Sequence, residues 1–175
     1  MTALILAFLT AACAQQAIVP YLASSDDVVE EMLKLAKVQR EDVVYDLGSG
    51  DGRIVIAAAL KYGARGVGIE LDPALVEQSN ENARTSGVSH RVKFLHQDVF
   101  ASDLSEATVV TLYLSPEVNA LLLPKLLREL KPGTRVVSHN YLIGDWRPSK
   151  TVRVNDRSDD LPTVYYWEIP APPTR

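Results

Sequence analysis

Three carboxylates and a run of glycines carry the spacing most suited to ligand chemistry in this chain. Asp46-Leu47-Gly48-Ser49-Gly50-Asp51-Gly52 follows the apolar Val43-Val44-Tyr45, Glu70 ends a second apolar stretch twenty positions after Gly50, and Asp98 follows a third. Glycines in such a run let a backbone pass close against a ligand. The start of the helix that follows offers free N–H groups to an anion. The order strand, glycine hinge, helix, strand, carboxylate is that of the ligand-binding half of a doubly wound sheet. A dinucleotide fingerprint, G-x-G-x-x-G, would place its third glycine where Arg53 stands. Here the third glycine comes one place earlier, at Gly52, which disfavours a nicotinamide oxidoreductase. Strand–glycine–helix units also occur as plain structural turns, so the trio of glycines gains its weight from Glu70.

The elements that must position these residues are legible from periodicity and punctuation. Pro20 to Ser25 reads as a linker, and Asp27 with Glu30 predicts a capping box for a helix that places Val28, Met32, Leu35 and Ala36 on one face. Asp42–Leu47 is the first expected strand, Arg53–Tyr62 the helix after the hinge, and Gly63 its stop. Gly66–Leu71 is the second strand. Asp72-Pro73 opens the next helix and Gly87 closes it. Val92–His96 and Ala107–Leu114 are the third and fourth strands, Val118–Leu130 a helix, and Thr134–His139 the fifth strand. Thr151–Asn155 and Thr163–Ile169 suit a closing antiparallel pair. The expected fold is α/β, a three-layer sandwich with a Rossmann-like, mostly parallel seven-stranded sheet and a C-terminal antiparallel hairpin. The expected division is an apolar segment and linker over 1–18, one domain over 19–170 and a tail over 171–175.

The Asp-x-Gly-x-Gly-x-Gly pattern with Glu70 resembles the cofactor site of class I S-adenosyl-L-methionine-dependent methyltransferases. That resemblance implies a set of roles. Glu70 would accept both ribose hydroxyls, and Asp46 would sit beside the cationic amino group. The hinge of Gly48, Ser49, Gly50, Asp51 and Gly52 would wrap the methionine end. Leu71 would belong to the cofactor site, Asp98 would take the adenine amino group and Val99 would supply a backbone N–H. Asp98 can equally be a loop aspartate capping Val99-Phe100.

The segment after the fourth strand, Leu112-Tyr113-Leu114-Ser115-Pro116-Glu117, would face the transferable methyl. It lacks the Asn/Asp-Pro-Pro-aromatic tetrad of amide and adenine methylation and the aspartate set of magnesium-dependent enzymes. Tyr113 and Ser115 remain as catalytic candidates. Tyr113 can also be a core residue, and Glu117 can merely favour the start of its helix. Methyl transfer from a sulfonium is an in-line displacement, so the protein chiefly supplies alignment and a dry channel. For a lysine acceptor with an ordinary pKa near 10.4, only about one amine in 10³ is neutral at pH 7, a cost of roughly 4–5 kcal/mol. An apolar channel lowers that cost by desolvation. His139 could line this side or serve as a hydrogen-bonded structural residue; Trp146 reads as a packing anchor.

With 175 residues, 47% hydrophobic and 23% charged, the chain is one globular domain with a proper core. A net charge of −4 gives no overall basic field for nucleic acid, so no nucleic-acid partner is expected. The single cysteine, Cys13, excludes an internal disulfide framework, and His90, His96 and His139 lack ligand spacing, so no metal is expected. Met1 to Ala14 is apolar, too short to span a bilayer as a confident helix, and ends in Ala12-Cys13-Ala14, a small-x-small pattern suited to a signal peptide. Against this, the first basic residue is Lys34. Membrane attachment or export through residues 1–14 is the expectation, with a packed N-terminal helix and a cytoplasmic protein as the alternative.

A closer resemblance rests on longer runs. Val19-Pro20-Tyr21, Asp46 to Ala59, Ser105 to Thr111, Glu129 to His139, Trp146-Arg147-Pro148 and Thr163-Val164-Tyr165 resemble the small archaeal protein-lysine methyltransferases. More distantly they resemble the membrane-anchored mitochondrial enzymes that methylate a lysine of the ATP synthase c-subunit or of adenine nucleotide translocase. This implies a protein substrate with an exposed lysine, and it makes Tyr21 a cofactor-covering candidate. Ser115-Pro116-Glu117 departs from the archaeal pattern where substrate is met, and the N-terminal apolar segment is absent from the compact archaeal members. A small-molecule N- or O-methyltransferase and a non-catalytic cofactor-binding protein remain the alternatives.

Overall fold

The computed structural model describes residues 22–155 and 161–171. Alternating strands and helices build a seven-stranded sheet in the order β3-β2-β1-β4-β5-β7-β6. The strands are β1 (Val43–Leu47), β2 (Arg65–Glu70), β3 (Val92–His96), β4 (Val109–Leu112), β5 (Arg135–His139), β6 (Lys150–Arg153) and β7 (Thr163–Glu168). The helices are α1 (Asp26–Leu35), α2 (Arg53–Tyr62), α3 (Pro73–Thr85) and α4 (Pro116–Glu129). β1 to β5 run parallel, and β7 pairs antiparallel with both β5 and β6.

β1 and β4, covered on both faces, are buried along their whole length, whereas β3 at the sheet edge alternates, with Lys93 exposed between Val92 and Phe94. Val44, Val109, Val137 and Val164 point to one face and pack with Val28 and Met32 of α1, Ile54 and Val55 of α2, and Ala83 of α3. Their neighbours Val43, Tyr45, Leu47, Val110, Leu112, Val136 and Trp167 point to the other, against Leu104 and against Leu122 and Leu126 of α4. Each such fully buried aliphatic side chain contributes about 1.5–3 kcal/mol.

The N-terminus of α1 differs from expectation. Ser25, not Asp27, is the cap, accepting at Oγ from Val28 N, while Glu30 is drawn off the cap to the Lys61 ammonium on α2. The acids of the first turn, Asp26 and Asp27, complement the helix dipole instead. α4 begins two residues earlier than expected because Ser115 caps it and Pro116 occupies its first position. β4 is correspondingly shorter than expected, ending at Leu112, so Tyr113 and Leu114 belong to the connection into α4.

Candidate active site

β1 ends at Leu47, and the chain leaves the carboxyl edge of the sheet through the glycine hinge before α2 begins at Arg53. Gly48 N and Ser49 N both donate to Ile69 O of β2, at 2.8 and 3.0 Å. Gly52 caps α2 at φ +80°, the left-handed region, and an added Cβ would lie 2.5 Å from Phe94 Cζ. From α3, Ser79 Oγ donates to Gly50 O at 2.7 Å and Asn82 Nδ2 donates to Asp51 O at 2.9 Å. These two side chains, one turn apart, fix the carbonyl edge of the hinge.

The carboxylates are held in distinct ways. Glu70, at the end of β2, accepts from Gly50 N at 2.9 Å through one oxygen, and from Leu71 N at 2.7 Å and Asp72 N at 2.9 Å through the other. Asp51 pairs with the Arg53 guanidinium at 2.7 Å and also accepts from Arg53 N. Arg53 in turn donates to Ser24 O at 2.7 Å, tying the entry of α1 to the hinge. Asp46 is buried at 3% exposure and accepts from Thr111 Oγ1 at 2.7 Å. Burial pushes the Asp46 carboxyl up to about 7; the Thr111 hydroxyl opposes that rise, and the negative charges of Glu70 and Asp51 add to it. Asp98, after β3, accepts from Phe100 N at 2.9 Å, with Val99 half-buried beside it. Leu71 is 49% exposed at the same edge.

These residues fit S-adenosylmethionine. Among the described residues, the groups that shift Asp46 include no cation, so a ligand bearing positive charge would supply what the buried carboxylate lacks. Ser49 Oγ is buried without a hydrogen-bond partner among the described residues, a polar group available to a bound ligand. A Cβ at Gly48 would meet Leu114 Cδ2 at 2.6 Å, so the hinge and the β4–α4 connection close on each other only without a side chain there.

On the neighbouring side, β1 and β5 flank β4 in register, with Leu112 opposite Leu47 and Ser138. Tyr113 therefore emerges between the hinge and His139. Its ring lies 3.9 Å from the His139 ring and 6.2 Å from that of Tyr141. Burial raises the Tyr113 hydroxyl above its ordinary range, with Tyr141 contributing, so it stays a neutral phenol near pH 7. His139 is buried and its Nδ1 is 2.9 Å from Ser24 Oγ. Ser115 is turned into its own helix as the cap of α4, accepting from Val118 N at 3.3 Å. Glu117 has its carboxyl lowered by the Ser115 hydroxyl, in keeping with a helix-start residue. Trp146 is a packing anchor: its carbonyl accepts from Trp167 Nε1 at 2.8 Å and the rings lie 5.7 Å apart. Tyr21 and residues 1–14 lie outside the described residues.

The structure thus gathers Asp46, the hinge, Glu70 and Leu71 at one edge, with Asp98 and Val99 after the adjoining strand; Ser115 caps α4 while Tyr113 packs beside His139. Five participants were not singled out for this role in the sequence: Ser24, Ser79, Asn82, Thr111 and Tyr141. The Ser79–Asn82 spacing of three on a helix was the only available signal, and it is common on any helix.

Comparison with known proteins converges on one group. A family model described as "ANTKMT methyltransferase domain" matches residues 46–150. A protein-lysine N-methyltransferase of Saccharolobus islandicus is 44% identical over 86% of this chain and 94% of its own length. An ATP synthase c-subunit lysine N-methyltransferase of Xenopus laevis is 36% identical over 87% of this chain, which spans 64% of that protein. A crystal structure described as an RNA methyltransferase from Salinibacter ruber in complex with S-adenosyl-L-homocysteine superposes with a TM-score of 0.82 at 52% identity, covering 87% of this chain and 97% of that one.

Proposed function

Since the chain belongs to the ANTKMT methyltransferase domain family and is an S-adenosylmethionine-dependent methyltransferase, we propose that its acceptor is the ε-amine of a protein lysine. The observation that carries this reading is the near-full-length likeness to the archaeal protein-lysine N-methyltransferase.

S-adenosylmethionine supplies a methyl group made electrophilic by its sulfonium. The chain's own residues bind, align and exclude water. Glu70, already oriented by three backbone amides, offers the remaining lone pair of the oxygen facing Gly50 to a ribose hydroxyl. Asp46 faces the positive end, Asp98 and Val99 take the adenine edge, and Leu71 covers its face. The hinge from Gly48 to Gly52 cradles the methionine end. Tyr113 lines the approach of the acceptor in a half-buried setting that favours the neutral amine over the ammonium. No residue there acts as a strong base, and alignment carries the reaction.

An RNA acceptor is the competing reading, because the Salinibacter protein is described as an RNA methyltransferase. The net charge of −4 weighs against it, since phosphate contacts dominate RNA affinity. Incubating the protein with radiolabelled cofactor and cell lysate separates the two. Label in nuclease-resistant protein, recovered as methyllysine after hydrolysis, supports the lysine reading. Label confined to RNA or to small molecules refutes it. For residues 1–14 we hold to a targeting or anchoring role, supported by their composition alone; among the described residues no helix is long and apolar enough to cross a membrane.

A further inference from the structure

Tyr113 and Tyr141 are large aromatic residues that join neither hydrophobic core cluster. Both are half-buried, and their rings are stacked at 18° with centroids 6.2 Å apart. The position of Tyr141 is built rather than incidental. Asn140 adopts φ +60°, the left-handed region that costs a non-glycine residue energy. That turn is locked from both sides: Asn140 N donates to Thr163 O at 2.7 Å and Asn140 Oδ1 accepts from Thr163 N at 2.9 Å. Tyr141 N donates to His139 O at 2.8 Å, and Ser138 Oγ donates to Tyr141 O at 2.7 Å. Behind Tyr113, the buried His139 ring lies 3.9 Å away, tilted by 31°, and is itself held by Ser24 Oγ at 2.9 Å. A strained turn held by four hydrogen bonds thus presents one tyrosine ring beside another, one register step past Leu112 and next to the cofactor hinge.

We propose that Tyr113 and Tyr141 form an aromatic wall for the acceptor nitrogen, with His139 and Ser24 as positioning residues, and that this wall carries lysine beyond the first methylation. The inference rests on the lysine reading given above. In the transfer the nitrogen lone pair forms the new N–C bond while the S–C bond breaks and its electron pair stays on sulfur. Positive charge therefore moves from sulfur to nitrogen, and the nitrogen proton leaves to water before the next round. Ring faces stabilise charge arriving on nitrogen, most of all when the ammonium is alkylated and poorly hydrated. No carboxylate of the site needs to reach the amine for this, since Asp46 and Glu70 serve the cofactor in the reading given above. Mono- and dimethyllysine are then better held than lysine, and they return as substrates.

The test is the ratio of mono-, di- and trimethyllysine in hydrolysed lysate protein after incubation with the intact enzyme and S-adenosylmethionine. Wild type is expected to accumulate di- and trimethyllysine. Tyr141→Leu and Tyr141→Met should shift the ratio towards monomethyllysine about fivefold, the equivalent of a cation–π contact of about 1 kcal/mol. Tyr141→Phe should restore the wild-type ratio, and Ser24→Ala should shift it in the same direction by a smaller factor. S-adenosylhomocysteine affinity, unchanged in the Tyr141 variants, certifies that they are folded. A wild-type product confined to monomethyllysine overturns the inference while leaving the lysine reading intact, as does an unshifted ratio in both Tyr141→Leu and Tyr141→Met. Absence of any methyllysine, with label in RNA or small molecules, overturns both.

Discussion

Asp46→Asn is the most informative single change, because the folded site holds that carboxyl at a cost. Burial raises it from 3.8 to about 7, and at about 1.4 kcal/mol per unit this corresponds to a penalty of up to about 4 kcal/mol for ionising it in the ligand-free protein. The folded value lies above the unfolded one, so the unfolded chain releases its proton first. Stability therefore falls as pH rises from about 4 to about 7 and is level beyond. Asparagine keeps an oxygen for the Thr111 hydroxyl at the same place and carries no charge. The ligand-free variant should accordingly melt several degrees higher than wild type at pH 8 and at the same temperature near pH 4. Cofactor binding should respond in the opposite sense. If the ionised carboxylate meets the positive end of the ligand, wild-type affinity for S-adenosylhomocysteine should fall about tenfold between pH 7.5 and pH 6 as Asp46 protonates. Asp46→Asn should bind about 10- to 100-fold more weakly at pH 7.5, as expected for loss of a hydrogen bond to a charged group, and should show no such slope. Calorimetric titration across this range, with melts of the ligand-free proteins, is the assay. A wild-type affinity flat from pH 6 to 7.5, or a variant that keeps the wild-type slope, would refute the argument.

Glu70→Gln should weaken S-adenosylhomocysteine binding by about 1–3 kcal/mol, because its amide turns a donor towards backbone N–H groups or ribose hydroxyls that now meet an acceptor; equal affinity by calorimetry would remove Glu70 from the site. Gly68→Ala should destabilise by more than about 2 kcal/mol, since its Cβ would lie 2.5 Å from both Phe94 Cδ1 and Ser49 Oγ, and Phe94→Leu should recover part of the loss in denaturant melts. Deleting residues 1–14 should leave melting temperature and cofactor affinity nearly unchanged while releasing the protein into the soluble fraction; a fall of several degrees would show the segment to be part of the fold.

What the chain's sequence determined by itself is the part governed by local rules. The glycine spacing, Gly63 as a helix stop, the Asp72-Pro73 helix start and the buried valine-rich strands each follow from backbone sterics, capping or burial on both faces. Together they are enough to place Asp46, the hinge, Glu70 and Asp98 at one edge of a parallel sheet. Choices between equivalent local options were legible only in part. Ser25 and Asp27 are both good caps, and the ion pair of Glu30 with Lys61 on another helix bears on that choice. Ser115 is a catalytic candidate by its position after the fourth strand, and the structure shows its hydroxyl capping α4. The tertiary structure alone decided the rest, because the partners lie far apart in the chain. Ser24 meets His139 across 115 positions and Arg53 across 29. Ser79 and Asn82 reach back to the carbonyls of Gly50 and Asp51. Tyr141 comes beside Tyr113 because β5 is paired to β4 and a left-handed Asn140 turns the chain back. Contacts of that kind depend on which strands neighbour one another, a property of the whole sheet that no local pattern of residues encodes.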